Sequence, residues 1–340
     1  MKKLDESEVI LIENLTGVTQ TTLRGILYKF LKKYYKKTVY DTDFLLAEGD
    51  IPIVLVAHMD TVFKKPATEI FYDRKKNVMW SPTGAGFDDR AGVYAIIKIV
   101  EAGYRPHIVF TTDEEIGCVG AAELSYLPCP FDDIRYVIQL DRRGANDCVF
   151  YECANEEFEK YVEKFGFVTN FGSFTDICEL CPTWGTAGVN LSIGYRDEHT
   201  TSEVLFVGQM LDTIEKVKKM LSETDIPKFE YISGFSPFYD WGYGYYPYDD
   251  DDDLPISVTP TYPPKESIRY KCSSCGKMCK YDEVLEVKLI RGGKGYFCEK
   301  CMEKKLDWCW SCGEAYEVNT RDLTGGFCPD CRKKLKNKIK

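Results

Sequence analysis

Ile51-Pro52-Ile53-Val54-Leu55-Val56-Ala57-His58-Met59-Asp60 runs uncharged for seven residues and then meets an imidazole and a carboxylate. Two later runs end alike. Ile108-Val109-Phe110-Thr111-Thr112 stops at Asp113-Glu114-Glu115, and Tyr136-Val137-Ile138-Gln139-Leu140 stops at Asp141. Short apolar runs bounded by turn signals read as strands buried within a sheet. In open α/β sheets the ligand site lies beyond the carboxyl ends of the strands. Side chains that are costly to bury therefore gather at one edge, and here they are imidazole and carboxylate, a donor set for borderline and hard metal ions. The pattern points to metal-dependent hydrolysis.

The rest of the first 230 residues fits such a sheet. Residues 5–36 read as two helices around Thr16-Gly17-Val18-Thr19, with Leu23, Ile26, Leu27, Phe30 and Leu31 on one face. A short strand and a Gly49-Asp50 turn precede the run to His58. After Asp88-Asp89-Arg90, Val93, Ile96, Ile97 and Val100 recur at helical spacing, and Gly103 fits a C-cap. Val189 to Ile193 reads as a further strand and Ser202 to Leu221 as a closing helix. Alternating strands and helices predict an α/β fold with a mainly parallel sheet flanked by helices.

Composition divides the chain. Its net charge is −10, yet residues 262–340 hold 18 Lys/Arg against 11 Asp/Glu, leaving 26 against 43 in the remainder. An acidic body with a basic tail indicates two functional units. Between them, residues 233–265 are rich in Tyr, Gly and Pro around five aspartates, Asp249 to Asp253, and read as a solvated linker. The expected organisation is a catalytic domain over 1–232, the linker over 233–265 and a small zinc-stabilised module over 266–340. No stretch approaches the roughly 18 apolar residues of a membrane span, and the start shows no apolar signal region. The expectation is a cytoplasmic protein without membrane attachment. Nine of the 15 cysteines fall in the last 69 residues, eight of them in CxxC pairs, which favours metal over disulfides. Cys118, Cys129, Cys148, Cys153, Cys178 and Cys181 lack ligand spacing and read as ordinary reduced thiols.

The segments Ala57-His58-Met59-Asp60-Thr61-Val62, Gly86-Phe87-Asp88-Asp89-Arg90-Ala91-Gly92, Asp113-Glu114-Glu115-Ile116-Gly117 and His199 resemble the co-catalytic zinc exopeptidases. In motif they are most similar to the tetrahedral dodecameric aminopeptidases and the tripeptide aminopeptidases. Phe174-Thr175-Asp176 is similar to a Thr-Asp motif of those families, and the resemblance covers about residues 5–222. It implies two catalytic divalent ions, zinc first, with cobalt or manganese as substitutes. Asp88 would bridge them, His58 and Asp141 would hold one, and Glu115 and His199 the other. Open positions would remain for a water whose pKa the metals lower. Glu114 would be the general base and Asp60 the carboxylate that fixes the His58 tautomer. If the register of the acidic pair slipped by one, Glu114 and Glu115 would exchange roles. Asp89 and Arg90 read as local turn residues, and His107 as structural.

Only 29 residues separate His58 from Asp88, and 57 separate Asp141 from His199. Neither gap holds the extra domain or lid found in the lidded relatives, which puts dodecamer assembly in doubt. A C-terminal carboxylate needs an Arg or Lys clamp, whereas an N-terminal ammonium needs acids, and Asp176, Asp197 and Glu198 are candidates to bind it. The expected activity is an aminopeptidase on short peptides. The alternatives are a deacylase of N-acyl substrates, or an inactive hydrolase-like adapter that binds protein or nucleic acid through its tail.

In that tail, Cys272-x2-Cys275 and Cys298-x2-Cys301 are 22 residues apart, and Cys309-x2-Cys312 and Cys328-x2-Cys331 are 15 apart. Two four-thiolate sites at such spacing predict two structural zinc ions, paired most simply in sequence, with cross-bracing as the alternative. The tail's expected role is docking to a protein partner, with nucleic acid the lesser alternative, given Arg332 to Lys340 and Phe297, Trp308, Trp310 and Phe327.

Overall fold

The computed structural model describes residues 2–234, 269–280, 284–289, 293–308, 315–317 and 328. The acidic linker, apart from residues 233 and 234, lies outside the described residues, as do Cys309, Cys312 and Cys331. In chain order the body contains α1 (Glu6–Thr16), α2 (Gln20–Tyr34), β1 (Lys37–Tyr40), β2 (Phe44–Glu48), β3 (Ile51–His58), β4 (Phe71–Asp73) and β5 (Val78–Trp80). Then follow α3 (Phe87–Glu101), β6 (Pro106–Thr111), α4 (Val119–Ser125), β7 (Tyr136–Arg142), β8 (Asp147–Val149), α5 (Glu156–Glu163) and β9 (Val168–Thr169). The body ends with α6 (Asp176–Trp184), β10 (Gly188–Ser192), β11 (Tyr195–Arg196), β12 (Val204–Phe206) and α7 (Val207–Leu221).

Eight strands form the main sheet in the order β1-β2-β6-β3-β7-β10-β8-β9. Its centre, β6-β3-β7-β10, is parallel, while β2 on one flank and β8 on the other run antiparallel to their central neighbours. Strand alternation sorts the core into two faces. Ile53, Leu55 and Ala57 join Ile138 and Leu140 against α1, α3 and α7, whereas Val54, Val56 and Val137 face Ala121 and Leu124 of α4 and Ile177 and Leu180 of α6. Both faces are buried, which is why these strands read as continuous apolar runs.

The helical pair at the N-terminus forms because Asp5 caps α1 with a capping box and Thr19 caps α2. The interval between His58 and Asp88 holds a hairpin, β4-β5, which pairs with β12 and β11 in a second, four-stranded antiparallel sheet. This corrects the expected helix from Ser202. Val204-Leu205-Phe206 is a strand paired with Val78–Trp80, and the helix starts only at Val207. β-branched and aromatic residues favour that choice once a partner strand is present.

The described tail comprises a hairpin, β13 (Arg269–Lys271) and β14 (Met278–Lys280), and a four-stranded sheet ordered β16-β15-β18-β17. Its members are β15 (Val284–Leu289), β16 (Gly293–Cys298), β17 (Leu306–Trp308) and β18 (Ala315–Glu317), with α8 (Glu299–Lys305) before β17. The tail sits on α2. Trp308 is buried against Gly25, where an added Cβ would lie 2.4 Å from the indole. Lys29 lies 4.8 Å over that ring and 3.4 Å from Asp307.

Gly25→Leu should therefore separate two effects. It removes a helix-interior glycine, worth up to about 1 kcal/mol to α2, but it overpacks the Trp308 contact by about 1–3 kcal/mol. The expected result is a body that melts no lower than before, with a tail that is roughly 5- to 100-fold more susceptible to limited proteolysis. A tail of unchanged protection would contradict the docking seen here.

Candidate metal centre

His58 ends β3, Asp141 lies near the end of β7, and a 3₁₀ turn, Glu114–Ile116, follows β6. Because β6, β3 and β7 are parallel neighbours, all three deliver their acids and imidazole to one sheet edge. Asp88 reaches that edge from the start of α3, and His199 from the loop between β11 and β12. Asp88 Oδ1 lies 3.1 Å from His58 Nε2, and Asp88 Oδ2 lies 3.2 Å from His199 Nε2. His58 Nε2 is 3.4 Å from Asp141 Oδ1, and His199 Nε2 is 2.9 Å from Glu115 Oε2. The result is two ligand triads, His58–Asp88–Asp141 and Asp88–Glu115–His199, that share Asp88. Glu114 belongs to neither, and its Oε2 stands 3.9 Å from His58 Nε2.

Polar contacts beneath the triads fix each donor. Asp60 Oδ1 lies 3.2 Å from His58 Nδ1, and the same carboxylate accepts the backbone N–H groups of Glu114 and Glu115 at 3.0 Å each. One side chain thus sets both the imidazole and the acidic turn. Asp141 accepts hydrogen bonds from Thr175 Oγ1, Tyr195 Oη and Gln139 Nε2 at 2.8–3.0 Å. Gln20 on α2 and Asp113 exchange two hydrogen bonds, at 2.9 and 3.1 Å, anchoring the turn from the other side. Asp113, Asp197 and His199 all have left-handed backbone, as is common where function constrains a loop.

Sequence reasoning missed Glu203. Its fully buried carboxylate accepts the N–H groups of Ala85, Gly86 and Asp88 at 3.3, 2.7 and 3.0 Å, holding the loop that presents Asp88. No local pattern marks it, since an acid before an apolar triplet looks like a solvated helix start. Arg90 does more than shape a turn. It is buried and donates to Leu15 and Val18 carbonyls at 3.0 and 3.2 Å, pinning the α1–α2 turn to α3. Asp89 is buried and accepts the Gly92 N–H.

The electrostatics suit cations. Burial opposes charge on His58, but Asp141, Asp60 and Asp88 together hold its pKa well above the ordinary value. Hydrogen bonding to Asp88, against some burial, lifts His199 to about 9. Burial raises Glu114 to about 9 and Glu115 to about 7, with neighbouring carboxylates adding to both. Burial would also raise Asp88, yet hydrogen bonds from the two histidines hold it well below the usual range. Such crowding of acids is repulsive unless positive charge lies among them. Glu115 Oε1 is buried without a hydrogen-bond partner, as a ligand atom awaiting an ion would be. Two imidazoles and three carboxylates with one shared member fit a pair of divalent ions.

Of the acids expected to meet a substrate ammonium, Glu198 alone lines the cleft, a space of about 360 Å³. Its Oε1 pairs with Arg143 at 2.8 Å, and its buried Oε2 has no partner. Asp176 is completely buried, receives the Thr111 hydroxyl at 2.6 Å and offers no surface to the cleft. Asp197 is exposed and stands outside the cleft wall. His107 stacks on Phe131 at 4.5 Å and accepts the Gly49 N–H, a structural placement. The six body cysteines are free thiols, four of them buried.

In the tail, Cys272, Cys275, Cys298 and Cys301 converge within ligand range. The Cys298 N–H donates to Cys272 Sγ at 3.4 Å. Burial opposes the Cys272 thiolate, but backbone donors from Cys275, Cys298 and Ser274 outweigh it and lower its pKa to about 6. A thiolate is the form a metal takes. Cys328 is buried, and its three expected co-ligands fall outside the described residues.

Among the described residues no helix is long and apolar enough to cross a membrane. Residues 46–170 match the model of Peptidase family M28. No curated protein matches the chain in sequence. Among solved structures, a tripeptidase from Staphylococcus aureus is similar at 15% identity and a TM-score of 0.52, covering 64% of this chain and 98% of its own. A TET aminopeptidase from a marine sediment Thaumarchaeota archaeon is similar at 13% identity and the same TM-score, covering 65% and 98%. Those likenesses show the fold: a mixed α/β domain with a mainly parallel central sheet flanked by helices. The matched peptidase segment supports reading the chain as a zinc metallopeptidase.

Proposed function

We propose that the chain is an aminopeptidase acting on short peptides through two divalent ions, zinc first among them. The observation that carries this reading is the sharing of Asp88 between two ligand triads, with Glu114 outside both and 3.9 Å from His58. His58, Asp88 and Asp141 would hold one ion, and Asp88, Glu115 and His199 the other. When bound, such ions polarise a peptide carbonyl and acidify a water molecule.

The chain's own groups do the rest. Asp60 keeps the His58 ring turned with Nε2 toward the cleft, so the lone pair needed for ligation lies on that atom. The same carboxylate fixes the backbone of Glu114 and so aims its side chain. Beside two divalent charges the Glu114 carboxyl returns to the ionised form that a proton acceptor needs. It can then receive a proton from water and deliver it to the leaving amine. Glu198, which lines the cleft, would meet the substrate's N-terminal ammonium there.

In the tail, Cys272, Cys275, Cys298 and Cys301 would hold one structural zinc, and Cys309, Cys312, Cys328 and Cys331 a second. The catalytic unit would span 1–232 and the zinc module 266–340, the latter suited to a protein partner.

Glu114→Gln should keep the catalytic ions and lower turnover by roughly 10²–10⁴-fold, whereas Asp88→Ala should lose ions as measured by elemental analysis. A fully active Glu114→Gln alongside a dead, metal-retaining Glu115→Gln would reverse the two roles.

Metal affinity should also follow pH. The raised pKa of His199, about 9, means a proton competes for its nitrogen across the neutral range. Displacing each such proton strengthens binding roughly tenfold per pH unit. Chelator-competition titrations from pH 6 to 9 should therefore show affinity rising steeply with pH, and a flat profile would contradict the proton competition.

Acetylating the N-terminus of one short peptide should cost roughly 30- to several-thousand-fold in kcat/KM, the scale of about 2–5 kcal/mol for leaving a charge partner unpaired. Amidating its C-terminus should change little. Hydrolysis that survives acetylation but is abolished by C-terminal amidation would overturn the aminopeptidase reading.

A further inference from the structure

Among the body cysteines, Cys118 alone has its sulfur hydrogen-bonded to a residue of the candidate metal centre. Its Sγ donates to Glu114 Oε1 at 3.6 Å. Among the described residues no other hydrogen bond reaches either oxygen of that carboxyl. The second oxygen, Oε2, lies 3.9 Å from His58 Nε2 and so faces a ligand atom of the first triad. The two oxygens of Glu114 therefore have different surroundings, a thiol on one and the metal centre on the other.

A local device brings the thiol there. The N–H groups of Gly117 and Cys118 both donate to the Glu114 carbonyl at 2.9 Å, which folds the chain back on itself. Gly117 and Cys118 both have left-handed backbone, with φ of 111° and 52°, a conformation that a residue with a side chain takes uncommonly. Cys118 also stands at the N-cap of α4, where a serine, threonine or aspartate side chain would ordinarily accept a helix N–H. No side-chain bond caps α4, and the sulfur is turned to Glu114 instead. Cys118 is 1% exposed and belongs to the apolar cluster of Ala121 and Leu124, so the sulfur is withdrawn from water. Burial first, then the charges of Asp176 and Glu114, hold the thiol far above its ordinary pKa, so it keeps its proton and acts as a donor.

We infer that Cys118 is a positioning residue for the proton acceptor: its S–H holds Oε1 of Glu114 and leaves Oε2 to accept the proton. The inference rests on the proposed role of Glu114 and deepens it. A thiol suits the task because it is a weak donor. An ammonium or guanidinium in its place would fix the carboxylate but also stabilise its charge and lower its basicity. A side chain without a donor would leave the Glu114 carboxyl free to rotate, and misplacing a reacting group by about 1 Å can cost on the order of 10²-fold in rate.

The test is a set of variants of the metal-loaded full chain, assayed on one short peptide. Cys118→Ala should keep the metal content of the unmodified protein, lower kcat roughly 5- to 50-fold and change KM by less than about twofold. Cys118→Ser restores a donor. The left-handed backbone there is not the extended form that a capping side chain uses, so its hydroxyl should stay on Glu114 and return most of the lost kcat. In a Glu114→Gln background, Cys118→Ala should cost less than about a further twofold, because the two residues act as a unit. A readout independent of hydrolysis is the infrared S–H stretch, assigned by subtracting the Cys118→Ala spectrum. In Glu114→Ala it should move to the higher frequency of an unbonded thiol. An unmoved band, an unchanged kcat in Cys118→Ala, equal losses in Cys118→Ala and Cys118→Ser, or a loss that persists undiminished in Glu114→Gln would overturn the proposal. If the band moves as stated while the unmodified protein cuts no peptide, the positioning contact stands and the aminopeptidase reading falls.

Discussion

Carboxylates repel, and this molecule forces Asp60, Asp88, Glu114, Glu115 and Asp141 around two imidazoles at one edge of a sheet. Each acid is at least partly removed from water, which raises the cost of its charge. Protonated histidines relieve some of that repulsion, as the elevated pKa values of His58 and His199 indicate. Divalent cations would relieve more of it, and the fold is arranged around that need. Parallel strands supply three of the donor-bearing segments at one height, and the antiparallel second sheet brings His199 over the fourth.

A site so strained must be held by its surroundings. Glu203 secures the Asp88 loop through three backbone donors, Asp60 secures the acidic turn, and Asn190 and Tyr195 secure Asp141. Arg90 and Gln20 then connect this assembly to the helical hairpin at the N-terminus. That hairpin also carries the tail, through Trp308 against Gly25. The metal-ligand edge and the described tail are thus both attached to α2, at Gln20 and at Gly25, and a single packed core runs through body and tail.

The central sheet was legible because its strands end where an apolar run meets a polar residue, whereas Asp88 and His199 follow from the resemblance alone. His58, Asp141 and the Asp113–Glu115 turn need no long-range information to be placed at a strand end. The antiparallel flanks, the second sheet and the β12 strand were not legible. Val204–Phe206 becomes a strand only through Val78–Trp80, more than 120 positions earlier. Glu203 and Arg90 likewise acquire their roles from backbone groups of distant segments. Asp176 misleads in the opposite sense. Its neighbour Thr175 does touch Asp141, but the Asp176 side chain turns into the core toward Thr111.

The claim on which everything else depends is that Asp88 is shared by two ions. Anomalous diffraction at the metal edge from a metal-loaded crystal tests it directly. The account predicts two peaks roughly 3.5–4 Å apart, one on each side of the Asp88 carboxylate, one contacting His58 and Asp141 and the other Glu115 and His199. A single peak, or a second ion bound by Glu114 in place of Glu115, would contradict it.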